Sequence, residues 1–298
     1  MTPLISIVLP TLNSAEYLAG AMAGCLGQTH PNLELIVVDG GSTDETLDIV
    51  ARYMAADGRV RRLHQPANTG KLPGALNLGF AAARGDYFTW TQGDDYYEPD
   101  ALAVLLAALT ADPALGLAYT GFQFIDEAGQ YLRDATLGPP GGLWRTNVVG
   151  HCFLYTRAAA RRAGQYDPAY WMAEDFEYWL RLYRVSNLCY VPGRYYAHRL
   201  HAASLTMHNY GRYYALRVCA RARRKVLGLS WPAYQRQVAA AYIEEAFAAF
   251  GDHAGRRARR CALQGLARDP AWLRNRGLLV LFARSCLWTR AHSQPGRY

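Results

Sequence analysis

The sequence predicts an α/β fold with a mostly parallel sheet, and three observations support this prediction. Short runs rich in Val, Ile and Leu alternate with segments that carry apolar residues at helical spacing, and this happens four times before residue 112. Apolar residues make up 51% of the 298 residues and charged residues 19%, which excludes a disordered or fibrous chain. Polar and acidic residues follow several apolar runs, where open α/β sheets bind their ligands.

Each element is predicted from its own pattern. In the first half, four continuously apolar strands are expected at residues 4–10, 33–39, 59–63 and 87–90. A helix is expected after each strand, at residues 14–26, 43–54, 72–83 and 99–109. After residue 112 the alternation loosens, with strands expected at 117–125, 152–155 and 188–197 and a helix at 173–184. From residue 210 onward, three or four Arg-rich helices are expected, so the α/β domain carries a C-terminal helical extension.

The charge distribution divides the chain into two parts. The net charge is +8, but residues 1–205 carry 15 Lys and Arg against 20 Asp and Glu, whereas residues 206–298 carry 17 against 4. We therefore expect one domain over 1–205, with halves 1–112 and 113–205, and a basic α-helical extension over 206–298. The extension suits an anionic membrane surface, and a packed appendage or a homodimer interface explains its composition equally well. Nucleic-acid binding is disfavoured because no recognition motif accompanies the charge.

Cysteine spacing and hydropathy argue against a zinc site and against a membrane-spanning segment. The six cysteines are scattered singly, without the paired spacing of a zinc site. The sequence starts on an apolar run without the features of a signal peptide, and the uncharged stretch at residues 277–283 is far too short to span a membrane. We therefore expect a cytoplasmic protein, either free or peripheral on the inner face of the plasma membrane.

Acidic residues follow two of the predicted strands. Asp39 ends the second strand, where a ligand would be held. In the segment that follows, Ser42 and Glu45 have the spacing of a capping box, so the segment also reads as a simple helix start. Asp94 and Asp95 leave the fourth strand side by side, and a divalent cation would relieve their repulsion.

Two later segments carry further candidate residues. Asp175 opens a predicted helix whose buried apolar face would fix the carboxylate in the first turn, where it can act as a general base. A carboxylate that complements the helix dipole is the alternative. His198 and His201 follow the last predicted strand, and lone histidines of this kind are more often structural than ligands.

Six motifs in order and spacing resemble those of the family-2 glycosyltransferases with the GT-A fold. They are SIVLPTLNSAEYL, LELIVVDGGSTDET, ANTGKLPGALNLGF, GDDYYEPD, GQYDPAYWMAEDFEYWLRL and HRLHAASLT, and they cover roughly residues 4–206. The resemblance implies a Rossmann-like sheet, with residues 1–112 binding the nucleotide sugar and 113–205 the acceptor. It also implies an inverting transfer of a sugar from a nucleotide-sugar donor to a hydroxyl of a glycan or lipid-linked acceptor. Mn²⁺ or Mg²⁺ would be the cofactor, and bacterial polysaccharide or glycolipid biosynthesis the setting.

The resemblance also implies roles for individual residues. The catalytic base would be Asp175. The metal ligands would be Asp94, Asp95 and His201. The donor would contact side chains from several segments, namely Pro10, Thr11, Asn13, Glu16, Asp39, Lys71, Gln92 and Asp94. The acceptor would contact His151, Trp171 and Glu174.

Gln92 departs from the family pattern, in which the DxD element begins with aspartate. Glutamine can still bond a ribose hydroxyl but adds no charge to hold a metal. This motivates an alternative, a non-catalytic sugar-nucleotide-binding or scaffold subunit, against which the intact Asp175 argues. A sugar nucleotidyltransferase is disfavoured because the first strand leads to PTLNSAEYL and not to a Gly-rich phosphate loop. A dinucleotide oxidoreductase is disfavoured because GxGxxG does not follow that strand.

Overall fold

The structure is a computed structural model that describes residues 2–135, 137–201 and 211–288. The chain folds into two compact units, Met1–Ala202 and Ala203–Tyr298. The end of the domain predicted over 1–205 therefore lies outside the described residues, as does the part of the HRLHAASLT motif from residue 202 onward.

The first unit alternates strands and helices. Its strands are β1 (Ile5–Thr11), β2 (Leu33–Asp39), β3 (Val60–His64), β4 (Tyr87–Trp90), β5 (Tyr96–Tyr97), β6 (Leu115–Ile125), β7 (Tyr131–Asp134), β8 (Cys152–Thr156) and β9 (Asn187–Arg199). Its helices are α1 (Leu18–Leu26), α2 (Thr46–Ala56), α3 (Lys71–Ala82), α4 (Ala101–Ala111), α5 (Arg157–Ala163) and α6 (Glu174–Val185). The α/β class predicted from the sequence is confirmed.

The strands of the described residues form one sheet. Its order is β3-β2-β1-β4-β8-β6-β9-β5, and β7 pairs with β6. The strands β3, β2, β1 and β4 are parallel to one another, and β6 is parallel to β9. β8 enters between β4 and β6 in the antiparallel direction. Most paired residues thus belong to parallel ladders, as the sequence predicts, but the second half of the sheet is mixed.

The core of the first unit explains why its strands are continuously apolar. Every residue of β2 is buried, because helices cover both faces of the sheet. Helix α3 approaches β1 so closely that a Cβ added at Gly79 would lie 2.4 Å from a methyl carbon of Val8. Only glycine allows this contact, which brings the helix down onto the strand.

Several elements differ from the sequence-based predictions. The strands β5 and β7 and the helix α5 were not predicted, because each is short and lacks a clear hydrophobic period. The prediction of a capping box at Ser42 is wrong. The Ser42 hydroxyl accepts a hydrogen bond from the Asn13 N–H at 3.0 Å, and α2 starts only at Thr46. Helix α1 starts at Leu18 and not at residue 14, and the Ser14 N–H donates to the Thr46 hydroxyl at 2.9 Å.

The second unit is helical, as predicted. Its helices are α7 (Gly211–Leu227), α8 (Trp231–Gly251), α9 (Gly255–Arg268) and α10 (Arg276–Trp288). Its core is built largely from small residues on α8 and α9, which lets these helices pack closely. Within the described residues, every helix is too short or too polar to cross a bilayer.

Candidate active site

The carboxyl ends of three parallel strands bring the predicted donor segments to one edge of the sheet. Thr11 pairs with Asp39 across β1 and β2, and Val8 pairs with Trp90 across β1 and β4. Residues 11–14, 39–46 and 91–95 therefore emerge side by side. Pro10 lies in this ladder, opposite Val38.

The first two segments are tied to each other by hydrogen bonds. The buried Asp39 carboxylate accepts from the backbone N–H groups of Gly41 and Ser42, both at 3.1 Å. Asn13 has a positive φ of 50°, and its Oδ1 accepts from the Thr43 N–H at 2.8 Å. Thr11 Oγ1 is buried and has no hydrogen-bond partner among the described residues, so it can bond a ligand.

Lys71 is the first residue of α3 and lies next to Trp171. Its φ is +54°, and its carbonyl accepts a hydrogen bond from Gln65 Nε2 at 3.1 Å. The Lys71 ammonium is 3.3 Å from the centre of the Trp171 ring, a cation–π contact. The structure thus brings together a predicted donor residue and a predicted acceptor residue.

The segment from Gln92 to Asp95 lies against the first segment. A Cβ at Gly93 would be 3.1 Å from Ser14 Cβ, so glycine permits this close approach. Gln92 is half-buried at this edge. Asp94 Oδ2 is 2.9 Å from His201 Nε2, which brings two of the predicted metal ligands together. Burial, with the neighbouring Asp95 charge, raises the pKa of Asp94 above its ordinary value.

Glu16 reaches the same region through Tyr17. The Tyr17 and His201 ring centres are 5.2 Å apart. A hydrogen bond from Tyr17 to the Glu16 carboxylate, together with burial, raises the pKa of Tyr17 to about 12. The predicted donor residue Glu16 therefore lies near the Asp94–His201 pair.

Asp95 is engaged in a buried polar cluster. Its carboxylate accepts hydrogen bonds from the Tyr196 hydroxyl at 2.9 Å, the Arg199 N–H at 2.8 Å and His198 Nδ1 at 3.0 Å. Burial alone would raise the pKa of Asp95, but the charge and hydrogen bond of His198 outweigh it and the pKa is lowered. The His151 ring stacks on His198 with centres 4.1 Å apart, and burial, with His198, lowers the pKa of His151 to about 3.

Two groups of side chains can be tested as metal ligands. Potential ligand atoms of Asp95, His151 and His198 lie within 4.8 Å of one another. However, the Asp95 oxygens already accept three hydrogen bonds from protein groups, which a metal would have to displace. Asp94 and His201 fit a divalent cation better, because a partly exposed carboxylate and an imidazole leave ligand positions for phosphate and water oxygens.

The start of α6 presents two adjacent carboxylates. Asp175 Oδ1 accepts from the Phe176 N–H at 2.6 Å, and its Oδ2 accepts from Asn147 Nδ2 at 2.8 Å. Burial raises the pKa of Asp175. Glu174 is 6% exposed, and its Oε2 has no hydrogen-bond partner among the described residues. Burial and the Asp175 charge raise the pKa of Glu174 to about 8, which favours the protonated form of this carboxyl.

Comparison with known proteins identifies the family. The family model "Glycosyl transferase family 2" matches residues 6–164, more than half of the chain. The chain belongs to glycosyltransferase family 2.

Relatives of this family 2 protein share moderate sequence identity with it. An uncharacterized glycosyltransferase, RP339 of Rickettsia prowazekii, is 29% identical over 219 residues, which are 69% of this chain and 66% of that protein. The chondroitin synthase of Pasteurella multocida is 27% identical over 210 residues, which are 70% of this chain but only 22% of that protein. The chain therefore spans less than two thirds of the length of these relatives.

A solved structure shows the same fold. The mannosyltransferase PcManGT from Pyrobaculum calidifontis, in complex with GDP-Man and Mn²⁺, superposes with a TM-score of 0.61. It is 16% identical, and the superposition covers 97% of this chain and 88% of that one. The predicted GT-A fold is confirmed.

Sequence reasoning missed two residues that shape the site of this family 2 protein, and it named a third, His198, without a partner. Asn147 orients Asp175, His198 holds Asp95, and Gln65 fixes the backbone before α3 by donating to the carbonyls of Thr69 and Lys71. Asn147 and Gln65 stand in segments without a recognisable motif. His198 was expected to follow a strand ending at residue 197, but β9 extends to Arg199, and a histidine within a buried strand needs a polar partner.

Proposed function

We propose that this chain is an inverting glycosyltransferase that moves a sugar from a nucleotide-sugar donor to a hydroxyl of a glycan or lipid-linked acceptor. The observation that carries the proposal is the Asp175 carboxylate, which is oriented by Asn147 and has a raised pKa. It belongs to the unit whose sheet edge carries Asp39 and Asp94, and this unit includes the segment that matches family 2.

Two relatives support the classes of donor and product. One is named for chondroitin synthesis, which supports a role in assembling a bacterial polysaccharide. The other was solved with GDP-Man and Mn²⁺, which supports a nucleotide-sugar donor and a divalent cation. In this proposal residues 1–112 bind the donor and residues 113–205 bind the acceptor.

The donor would lie across the three linked segments at the sheet edge. Asp39 and Asn13 shape the nucleotide pocket, and the unpartnered Thr11 Oγ1 bonds the nucleoside. Lys71 exchanges its contact with Trp171 for the donor phosphates, because a diphosphate attracts an ammonium more strongly than an aromatic ring does. Pro10, Glu16 and Gln92 complete the pocket, with Gln92 available to a ribose hydroxyl.

Asp175 would perform the proton transfer. The acceptor hydroxyl gives its proton to the Asp175 carboxylate, and the acceptor oxygen forms a bond to the anomeric carbon. The bond from that carbon to the diphosphate oxygen breaks on the opposite side, so the configuration inverts. The raised pKa helps, because a general base works best when its pKa is near the working pH.

Asp94 and His201 would hold Mn²⁺ or Mg²⁺. A bound divalent cation supplies positive charge next to the leaving diphosphate. Asp95 supports this pair indirectly in the proposal, because its bonds to His198 and the Arg199 backbone tie the segment that carries Asp94 to the end of β9, which precedes His201. His151, Trp171 and Glu174 are assigned to the acceptor side.

A non-catalytic sugar-nucleotide-binding subunit is not favoured. Such a protein would have no use for a carboxylate that is both buried and oriented by a dedicated amide, as Asp175 is by Asn147. Burying and orienting a carboxylate costs folding free energy, which is typical of functional sites.

Nucleoside diphosphate release tests the proposal. UDP-, GDP- and dTDP-sugars are incubated with the protein and lipid-linked or oligosaccharide acceptors, with Mn²⁺, with Mg²⁺ or with EDTA. We expect metal-dependent release with one donor and a loss of about 100- to 10,000-fold in Asp175→Asn, with nucleotide binding retained. Asp112→Asn, a change of the same kind at an exposed position, is the control. Equal release by wild type and Asp175→Asn would refute the proposal.

A further inference from the structure

The second unit contains a groove with a volume of about 550 Å³. One side is a single face of α7, because Tyr214, Arg217, Val218 and Arg221 follow each other at the three- and four-residue spacing of one helix face. Val218 is buried in the floor, whereas Arg221 is exposed. We call this feature the helical groove.

The other side of the helical groove is one face of α8. Trp231, Tyr234, Val238 and Tyr242 repeat at the same helical spacing, and α9 adds Arg268 at the end. Trp231 is 57% exposed, which is unusual for the largest aromatic side chain. The groove therefore combines an apolar floor with an exposed Trp231 ring.

Guanidinium groups are held against these rings. Arg217 and Arg268 lie over the Tyr242 ring, with their guanidinium carbons 4.4 Å and 4.8 Å from its centre. Arg224 lies 4.8 Å from the centre of the Trp231 ring at the rim. Among the described residues that line the groove, no side chain is acidic. Glu245, which is buried, offsets part of the charge through its bonds to Arg217 and Arg257.

The chemistry of the groove identifies a class of ligand. Aromatic faces pack against the apolar C–H faces of sugar rings, and guanidinium groups pair with carboxylate, sulfate or phosphate in a forked geometry. The volume lies within the range of small-ligand sites and exceeds the needs of a lone phosphate. A concave site between two helices also does not match a flat bilayer surface, which favours a ligand that enters the groove.

We propose that the helical groove binds a segment of an anionic glycan, and that this glycan is the acceptor or the growing product of the transferase. The second part rests on the proposed function, whereas the first rests only on the groove. A glycan bound in the groove would stay associated with the protein between successive transfers. This second contact raises the effective concentration of the glycan for the next transfer.

Fluorescence anisotropy with the full chain tests the proposal. The probes are fluorescein-labelled hexasaccharides of hyaluronan, of heparin and of a phosphomannan, which carry carboxylate, sulfate and phosphate, with neutral maltohexaose as reference. We expect at least one anionic probe to bind more tightly than maltohexaose. The double variant Arg221→Ser/Arg268→Ser should weaken that binding by about 5- to 30-fold, as expected for the loss of two partly exposed ion pairs.

A matched control removes the same charge elsewhere on the same unit. Arg236 and Arg260 are exposed and lie outside the lining of the groove. Arg236→Ser/Arg260→Ser should change the affinity less than twofold, and Trp231→Ala should weaken it without any change of charge. Equal weakening by the two double variants, or binding of a poly(dT) oligonucleotide or an anionic vesicle with no glycan binding, would overturn the proposal.

The result can be separated from the outcome for the proposed function. The difference between the two double variants should persist in the Asp175→Asn background, because Asp175 is not part of the groove. If wild type binds glycan in the groove but releases no nucleoside diphosphate from any donor, the transferase proposal fails, and only the first part of the groove proposal, glycan binding, stands. If release depends on Asp175 but every anionic probe binds the two double variants equally well, the groove proposal fails and the transferase proposal stands.

Discussion

The two halves of the first unit fix their functional side chains in different ways. In the parallel half, from β1 to β4, the segments at the sheet edge are joined through backbone N–H groups, as where Thr43 donates to Asn13. In the mixed half, side chains distant in sequence help to hold the buried carboxylates. His198 comes 103 residues after Asp95, and Asn147 lies 28 residues before Asp175.

This difference predicts where the molecule is sensitive to substitution. A loop held by several backbone hydrogen bonds near the surface keeps most of its contacts when one side chain is lost, and water can replace the missing partner. Water cannot replace a side-chain partner of a buried carboxylate in this way, so losing that partner leaves part of the charge without compensation. Substitutions in the mixed half should therefore have the larger effects.

The largest effect is expected for His198→Ala. This change removes the charged partner of Asp95, whose side chain is completely buried. We expect the free energy of unfolding to fall by about 3–5 kcal/mol, the range for breaking one side of a buried ion pair. Urea unfolding followed by circular dichroism measures it.

His64→Ala is the matched control for this substitution. The His64 side chain is 60% exposed and lies 3.8 Å from Asp39 in the parallel half. We expect a change within about 0.5 kcal/mol, as for surface substitutions in general. If His64→Ala lost as much free energy of unfolding as His198→Ala, the proposed contrast between the parallel and the mixed half of the first unit would be wrong.

The fold could be predicted from the sequence wherever a local pattern was strong. The strands β1, β2 and β4 end within one residue of their predicted ends, because each is a buried apolar run stopped by polar residues or proline. The element α5 was missed because RAAARRA shows no amphipathic period over its seven residues. The helix starts were misplaced at residues that bond to another loop, as Ser14 does to Thr46, and local propensity does not reveal such contacts.

The candidate site could be predicted only for residues inside motifs. The proximity of Asp94 and His201 follows from the family pattern, and the structure brings the two side chains within hydrogen-bond distance. Asn147 and its contact with Asp175 were not predictable, because the 28-residue separation arises from the packing of α6 and carries no periodic signal. Long-range polar contacts thus limit what one sequence can tell about this site.

An intermediate effect is expected for Asn147→Ala. The Asn147 amide donates to the ionised form of Asp175, so its loss raises the pKa of that carboxyl further. A hydrogen bond to a charged group contributes about 1.5 kcal/mol, which corresponds to roughly one pH unit. Activity needs the ionised base and is lost as the pH falls through this pKa. The acidic limb of the profile of kcat/KM against pH should therefore move up by about one unit.

The pH profile separates an effect on Asp175 from a general loss of structure. A purely structural role would lower kcat/KM by the same factor at every pH and leave the limb where it is. Asn187→Ala, at the exposed start of β9, is the control and should leave the limb unchanged. A limb that stays in place in Asn147→Ala would show that the amide does not act through the protonation of Asp175.

The smallest effect is expected in the parallel half, for Asn13→Ala. This change removes the acceptor of the exposed Thr43 N–H, which water can then bond, and places an alanine at a φ of 50°. The two contributions together should destabilise the protein by about 1 kcal/mol in urea unfolding. Asn13→Gly loses the same hydrogen bond but tolerates the positive φ, so it should be less destabilised than Asn13→Ala. The opposite order would mean that the Asn13 side chain, and not the left-handed backbone it tolerates, is what this turn requires.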